Sequence, residues 1–181
     1  MIVKVILEKS PTAEDWMYVK TIALRTEGKV AKTTPTYEWK HNALRARHSM
    51  IRELWYKFHI EEVPYWVAMH FVRHHEGCQP YVSTQRNDRQ DKYDRRKAPQ
   101  DTLVSMTWTM NAEALMNLAN KRLCFKAADE TRKVVEVMCS LALADTPEFD
   151  RLLVPMCIYH GGRCDEMKPC GRMGGISYDE P

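Results

Sequence analysis

Two segments alternate apolar with polar residues, and nearly everything between and after them has helical character. Met1–Leu7 sets Val3, Val5 and Leu7 on one side of a strand, and Trp55–Glu61 alternates bulky residues in the same way. Between them Ser10-Pro11-Thr12 opens a helix expected to run to about Thr26, with Glu14 and Asp15 at its positive end. Residues 27–38 are expected to form a loop, and His41–Leu54 a second helix. Pro64 then starts a short helix, Tyr65–Val72, apolar almost all round and therefore buried. Residues 76–98 lack periodicity and are expected to be loop. Helices follow over about Asp101–Lys121 and Lys126–Ala144, with a short one after Thr146-Pro147. This order lacks the strand–helix alternation of a parallel sheet and predicts an α+β fold, a mixed or antiparallel sheet flanked by helices. At 181 residues the chain has the length of about one domain. A body over 1–155 is expected to carry an appended tail, 156–181, rich in Cys and Gly, including Gly161-Gly162 and Gly174-Gly175.

Composition excludes some classes. No apolar run approaches the roughly 18–20 residues of a membrane span, and residues 1–15 lack a signal-peptide pattern, so a cytoplasmic setting is expected. The six cysteines are scattered or confined to the tail, unlike a secreted disulfide framework. The net charge of +3 does not by itself imply nucleic acid. Its distribution is uneven: residues 73–97 hold seven Lys or Arg and two His against four acids, a patch suited to a phosphate or nucleotide.

Chemistry concentrates at the end of the short buried helix. Arg73, His74 and His75 placed there are costly unless they meet anions. Ser83-Thr84-Gln85-Arg86 follows as a polar loop able to cradle phosphate. On the helix expected over Trp108–Arg122, Asn111 and Arg122 lie about three turns apart, on one face and roughly 16 Å from each other, a span that suits an extended ligand. His48 and Glu53, five residues apart, diverge too far on a helix to bind one metal ion. In the tail, Cys157, His160, Cys164 and Cys170 have the ligand count of a tetrahedral zinc. Their spacing matches none of the common finger patterns, and no metal is assigned.

Arg73-His74-His75, seven residues, then Ser83 resembles the Arg-His-Arg-x7-Ser signature of the flavin-dependent thymidylate synthases. The preceding HSMIRELWYKFHIEEVPYWVAMHFVRHH resembles that family's approach to the signature. PQDTLVSMTWTMNAEALMNLANKRL resembles its Pro…Trp-Thr-x-Asn-Ala-x-x-Leu-Met-Asn…Arg helix, and residues 1–154 can be laid along the family. The resemblance implies reductive methylation of dUMP to dTMP. Methylenetetrahydrofolate supplies the carbon, FAD carries the hydride, NADPH reduces the flavin, and the enzyme is a homotetramer with sites at its subunit interfaces. It implies substrate contacts at Arg73, Ser83, Arg86, Arg95, Arg122 and His70, with Arg122, Arg73 and Ser83 central to catalysis and no side-chain nucleophile. Flavin contacts are implied at His48, Glu53, Arg73, His74, His75, Asn111 and Asn117.

The chain also departs from the family. His75 stands where Arg is usual, His70 where Gln is, Tyr81 for an acid, Gln85 for Arg and Glu113 for Arg, and the connection from Ser83 to Arg95 is short. These departures keep open a variant that hydroxymethylates dUMP or modifies another pyrimidine nucleotide. A reading from a different class is a small basic nucleic-acid-binding protein, using Tyr81 and Tyr93 in the 73–97 loop and a zinc knuckle in the tail. It leaves Asn111, Asn117 and Arg122 without a role, and nucleic acid is not the expected partner.

Overall fold

The computed structural model describes residues 4–89 and 94–173. The fold is α+β, built on a four-stranded antiparallel sheet. Strand β1 is Lys4–Lys9, β2 is Trp55–Pro64, β3 is Cys78–Val82 and β4 is Leu103–Asn111; their order across the sheet is β1-β2-β4-β3. The helices are α1 (Ala13–Arg25), α2 (Tyr37–Arg45), α3 (Tyr65–Phe71), α4 (Ala112–Arg122), α5 (Asp129–Asp145) and α6 (Met156–Tyr159), with 3-10 turns at Ser49–Glu53 and Pro147–Phe149. Met1–Val3, Tyr93 and Gly174-Gly175 lie outside the described residues.

The central pair β2–β4 shows why the chain collapses onto one side. Phe58 lies opposite Trp108, Tyr56 opposite Met110 and Ile60 opposite Met106, and all six are buried. The alternate residues Lys57, His59, Thr107 and Thr109 face the other side. Past Ile60 the register slips, with Glu62 at φ 54°, and pairing resumes at Val63. The core then fills with Val67, Ala68 and Phe71 of α3, Leu115, Met116 and Leu118 of α4, and Val134, Val135 and Met138 of α5.

Three elements differ from expectation. The helix expected from Asp101 is a strand as far as Asn111, and only then a helix. Val104, Met106, Trp108 and Met110 are buried while Ser105, Thr107 and Thr109 are half-buried on the opposite face, a period of two that suits Thr and Trp. A strand, β3, lies inside the expected 76–98 loop. It is short, at the sheet edge, and contains Pro80, which an edge tolerates because one side of its backbone needs no ladder donor. The helix expected over His41–Leu54 begins earlier, at Tyr37, where the Thr36 hydroxyl accepts from Trp39 N, and stops at Arg45. Arg47 then turns left-handed (φ 52°), so His48 and Glu53 flank and end a 3-10 turn instead of riding on one helix. The start of α1 agrees with its sequence signal: Thr12 and Asp15 form a reciprocal capping box.

The segment after Pro155 begins tied to the body. Asn120 Nδ2 donates to Val154 O at 2.7 Å, the Tyr159 hydroxyl donates to Arg45 O at 3.1 Å, and the Arg172 guanidinium lies 4.5 Å from the Phe125 ring. His160 Nδ1 pairs with Asp165 Oδ2 at 2.7 Å. Among the described residues, no group of three or more His, Cys, Asp or Glu is placed to hold a metal ion. Nor, among them, is any helix long and apolar enough to cross a membrane.

Candidate functional site

α3 and α4 bring Arg73, His74 and Arg122 together. Pro64 opens α3, and Tyr65 N donates to Thr102 O at 2.9 Å, which fixes the helix against the start of β4. The chain turns after Phe71, with His74 N bonded to Phe71 O at 2.9 Å, and delivers Arg73 and His74 to the last turn of α4. There Arg122 Nε donates to His74 Nε2 at 2.9 Å, and Arg122 Nη2 reaches His70 O at 3.4 Å. Arginine has no acceptor, so His74 Nε2 must be unprotonated and the ring proton sits on Nδ1.

The electrostatics agree. Burial, then the Arg122 charge, then His75, push the His74 pKa down to about 4, so this imidazole is neutral near pH 7. His70 is also lowered, by burial first and then by Arg122 and Arg73; its Nδ1 lies 3.0 Å from Thr131 Oγ1 on α5. Burial and the Arg73 charge lower Arg122 as well. Among the described residues, neither Arg73 nor Arg122 forms an ion pair. The cluster is thus a partly desolvated positive centre whose arginines are not paired with a carboxylate among the described residues, an arrangement suited to an anion or an electron-rich carbonyl.

Two small cavities share His74. One, of about 150 Å³, is lined by Arg73, His75, Trp108 and Asn117 among others; the second, of about 270 Å³, by Arg122, Lys121, Lys126 and Glu166. In the first, Trp108 Nε1 is fully buried and meets no acceptor in hydrogen-bond geometry. Burial pushes the Cys78 thiol up, with the neighbouring Trp108 N–H working weakly against it, and Cys78 Sγ donates to His74 O at 2.7 Å. His48 and Glu53 lie elsewhere, on a groove of about 690 Å³ formed with Trp39, Arg45 and Met50, which shares no lining residue with the two cavities.

Asn111 departs from the helical face it was expected to share with Arg122. Asn111 is the last residue of β4 and the N-cap of α4: buried, its Oδ1 accepts from Ala114 N at 2.9 Å. It does not stand in helical line with Arg122. Asn111 N donates to Gly77 O at 2.9 Å, and a Cβ at Gly77, where φ is +67°, would come within 2.6 Å of Asn111 Nδ2. Asn117 is exposed beside the smallest cavity, and its Oδ1 accepts from Arg47 Nη1.

The phosphate-cradle residues are not gathered with Arg122 within one chain. Ser83 continues the β3–β4 ladder, its N donating to Ser105 O at 2.8 Å and its Oγ accepting from Ser105 N at 3.2 Å. Arg86 makes a two-pronged pair with Asp88, at 2.9 and 2.5 Å. Arg95 is exposed, tied only through its backbone N to Asn87 Oδ1 at 3.3 Å. None of the three lines the cavities around His74. Sequence reasoning missed Arg47, which joins three elements, and the partner of Glu113: Arg52 Nε, at 2.6 Å. A lone arginine just past a helix carries no pattern that would have singled it out.

Residues 90–148 match the model of the family described as thymidylate synthase complementing protein. No curated protein matches the chain. Among solved structures, a UMP/dUMP methylase PolB from Streptomyces cacaoi bound with 5-Br dUMP superposes with a TM-score of 0.63 at 16% identity, over 84% of this chain and 97% of that one. Thymidylate Synthase X from Helicobacter pylori, with FAD and dUMP, superposes with a TM-score of 0.61 at 14% identity, over the same 84% and 97%. At such identities the superpositions speak for the fold. The family match speaks for residues 90–148, the segment that contains β4, α4 and α5. On the two together, that segment is similar to the thymidylate synthase complementing protein family, and the fold is that of the two solved structures.

Proposed function

We propose that the chain catalyses reductive methylation of dUMP to dTMP, with methylenetetrahydrofolate as carbon donor, FAD as cofactor and NADPH as reductant. The observation that carries this reading is the Arg122–His74 pair. A carboxylate partner would hold Arg122 equally well but cancel its charge. A neutral histidine fixes the guanidinium and leaves its charge available. Set against a pyrimidine carbonyl, that charge stabilises the negative charge that builds on the ring as C5 becomes nucleophilic. Arg73 lies close enough to depress the Arg122 pKa, so it reinforces the same positive field. His70 would meet the base, Ser83 would bind the nucleotide through its hydroxyl and backbone, and Arg86 and Arg95 would take the phosphate.

The donors present fit a flavin. Asn117, Arg73 and His75 suit an acceptor-rich ring, and the larger groove with His48 and Glu53 has a volume within the usual range of ligand sites, roughly 300–1,000 Å³. When bound, FAD supplies the hydride chemistry; the chain's residues orient the partners and exclude water. The separation of the His48–Glu53 groove from the His74 cavities supports a homotetramer, in which one copy's groove and 83–97 loop complete another's site. The catalytic body is proposed as 1–155.

The test is purification followed by product analysis. A yellow protein that converts dUMP, methylenetetrahydrofolate and NADPH to a product of dTMP mass supports the reading. A colourless protein that takes up no FAD, is not stabilised by dUMP and binds DNA in a strongly salt-dependent way overturns it. His70 and Tyr81, at the positions expected to face the base and its loop, make UMP the informative second substrate, and a hydroxymethyl product would show in the same spectrum.

A further inference from the structure

We infer that Arg47 is a positioning residue: its guanidinium turns the Asn117 side chain so that the amide N–H, and not the oxygen, faces the cavity shared by Arg73, His74 and Trp108. Arg47 is held in the left-handed region, φ 52°, a strained backbone for a residue other than glycine. That backbone aims its side chain between α4 and the segment after Pro155. Nη1 donates to Asn117 Oδ1 and Nη2 to Asn120 Oδ1, each at 2.5 Å. Nε donates to the Tyr159 hydroxyl at 3.2 Å, and the guanidinium lies 4.8 Å from the Tyr159 ring.

Guanidinium groups only donate, so both amide oxygens must face Arg47 and both amide nitrogens must face away. Asn120 is buried, and its nitrogen is used by Val154 O at 2.7 Å. The Asn117 nitrogen has no partner among the described residues, and Asn117 lines the cavity. On this wall the Asn117 amide stands with the Nδ1–H of His74 and the Arg73 guanidinium as donors, beside the Glu76 carboxylate. A ligand edge that meets those donors carries acceptors, carbonyl oxygens or unprotonated ring nitrogens. With Asn117 flipped, an oxygen would face those acceptors and repel them. Arg47 thus sets the polarity of the pocket without touching the ligand, and Tyr159 makes that setting depend on the C-terminal segment.

The inference rests on the proposed FAD reading for the identity of the acceptor-rich ligand, and its test separates the two. Asn117→Asp keeps an oxygen for Arg47 but turns a second oxygen to the cavity. Its expected signature is an unchanged or raised unfolding midpoint with FAD affinity, read by flavin fluorescence quenching, weakened about tenfold or more. Arg47→Lys keeps the charge but loses the fork; it should weaken FAD binding about threefold to tenfold and shift the visible spectrum of the bound flavin. Wild-type affinity and spectrum in Asn117→Asp would overturn the inference. A wild-type protein that takes up no FAD speaks against the proposed function instead. The contact itself is then read without ligand, from a double-mutant cycle of Arg47→Ala and Asn117→Ala on urea unfolding. A coupling of about threefold or more in the folding equilibrium supports Arg47 as the anchor of Asn117, and independent effects overturn it.

Discussion

Arg122 and Arg86 are assigned to the same nucleotide, yet the structure treats them in opposite ways. Arg122 closes a helix, is partly buried, and is held by an uncharged histidine. Arg86 lies on an exposed loop and is paired, two residues away, with Asp88. The first can act on a ligand without reorganising. The second must break an ion pair, though a weak one, since exposed pairs contribute only about 0–1 kcal/mol. The same division runs through the proposed site: α3 and α4 form a preorganised inner half, and residues 83–89 an outer half whose polar groups pair with one another or with β4.

The largest expected effect lies in the inner half. Arg122→Ala should reduce dTMP formation by about 100-fold to 1,000-fold, the usual loss when one preorganised donor to a developing negative charge is removed, while the purified protein stays yellow. Unchanged turnover would end the assignment. Gly77→Ala probes how rigid that half is. It adds a side chain at φ +67° within 2.6 Å of Asn111 Nδ2, at the cap of α4, and is expected to lower stability by about 1–3 kcal/mol in urea. A midpoint equal to wild type would show that the β4–α4 corner yields.

Acidification separates the halves by charge. The His74 pKa is lowered from 6.5 to about 4 in the folded chain. Between those values the unfolded chain binds a proton that the native chain does not. The contribution is therefore nil above pH 6.5, and stability is lost as pH falls from 6.5 toward 4, levelling off below. His74→Gln should flatten that part of the curve while keeping an acceptor for Arg122; an unaltered slope between pH 7 and 5 would place the titration elsewhere. The smallest effects belong to the outer half. Arg86→Ala should leave the unfolding midpoint essentially unchanged and appear instead as a higher KM for dUMP. Ser83→Ala should likewise weaken dUMP binding more than it slows turnover, and a fall in kcat at constant KM would contradict its binding role.

How much of this could be read in advance depends on the range of the interaction. α1 was legible because its cap is local: Thr12, Asp15 and the apolar spacing lie within a few residues. α3 was legible because its apolar run is short and bounded by Pro64. β4 was not, because apolar residues recur along the whole run from Leu103 to Arg122 while their period changes at Asn111, where a strand becomes a helix within one residue. The site divides in the same manner. Arg73, His74 and Arg122 stood out as cationic groups at the ends of apolar helices, and the Arg-His-His…Ser spacing tied them to a family.

The sequence by itself determined the α+β class, the buried helix that delivers Arg73 and His74, and the family that these residues resemble, because each is written in composition, period and spacing over short stretches. Only the tertiary structure decided that Arg122 meets His74, that Asn111 caps a helix, and that Arg47 orients Asn117. Those outcomes depend on contacts between residues 48 to 70 positions apart or on a strand–helix junction, and a hydrogen bond's direction is set by which donor arrives, not by the residue that waits for it.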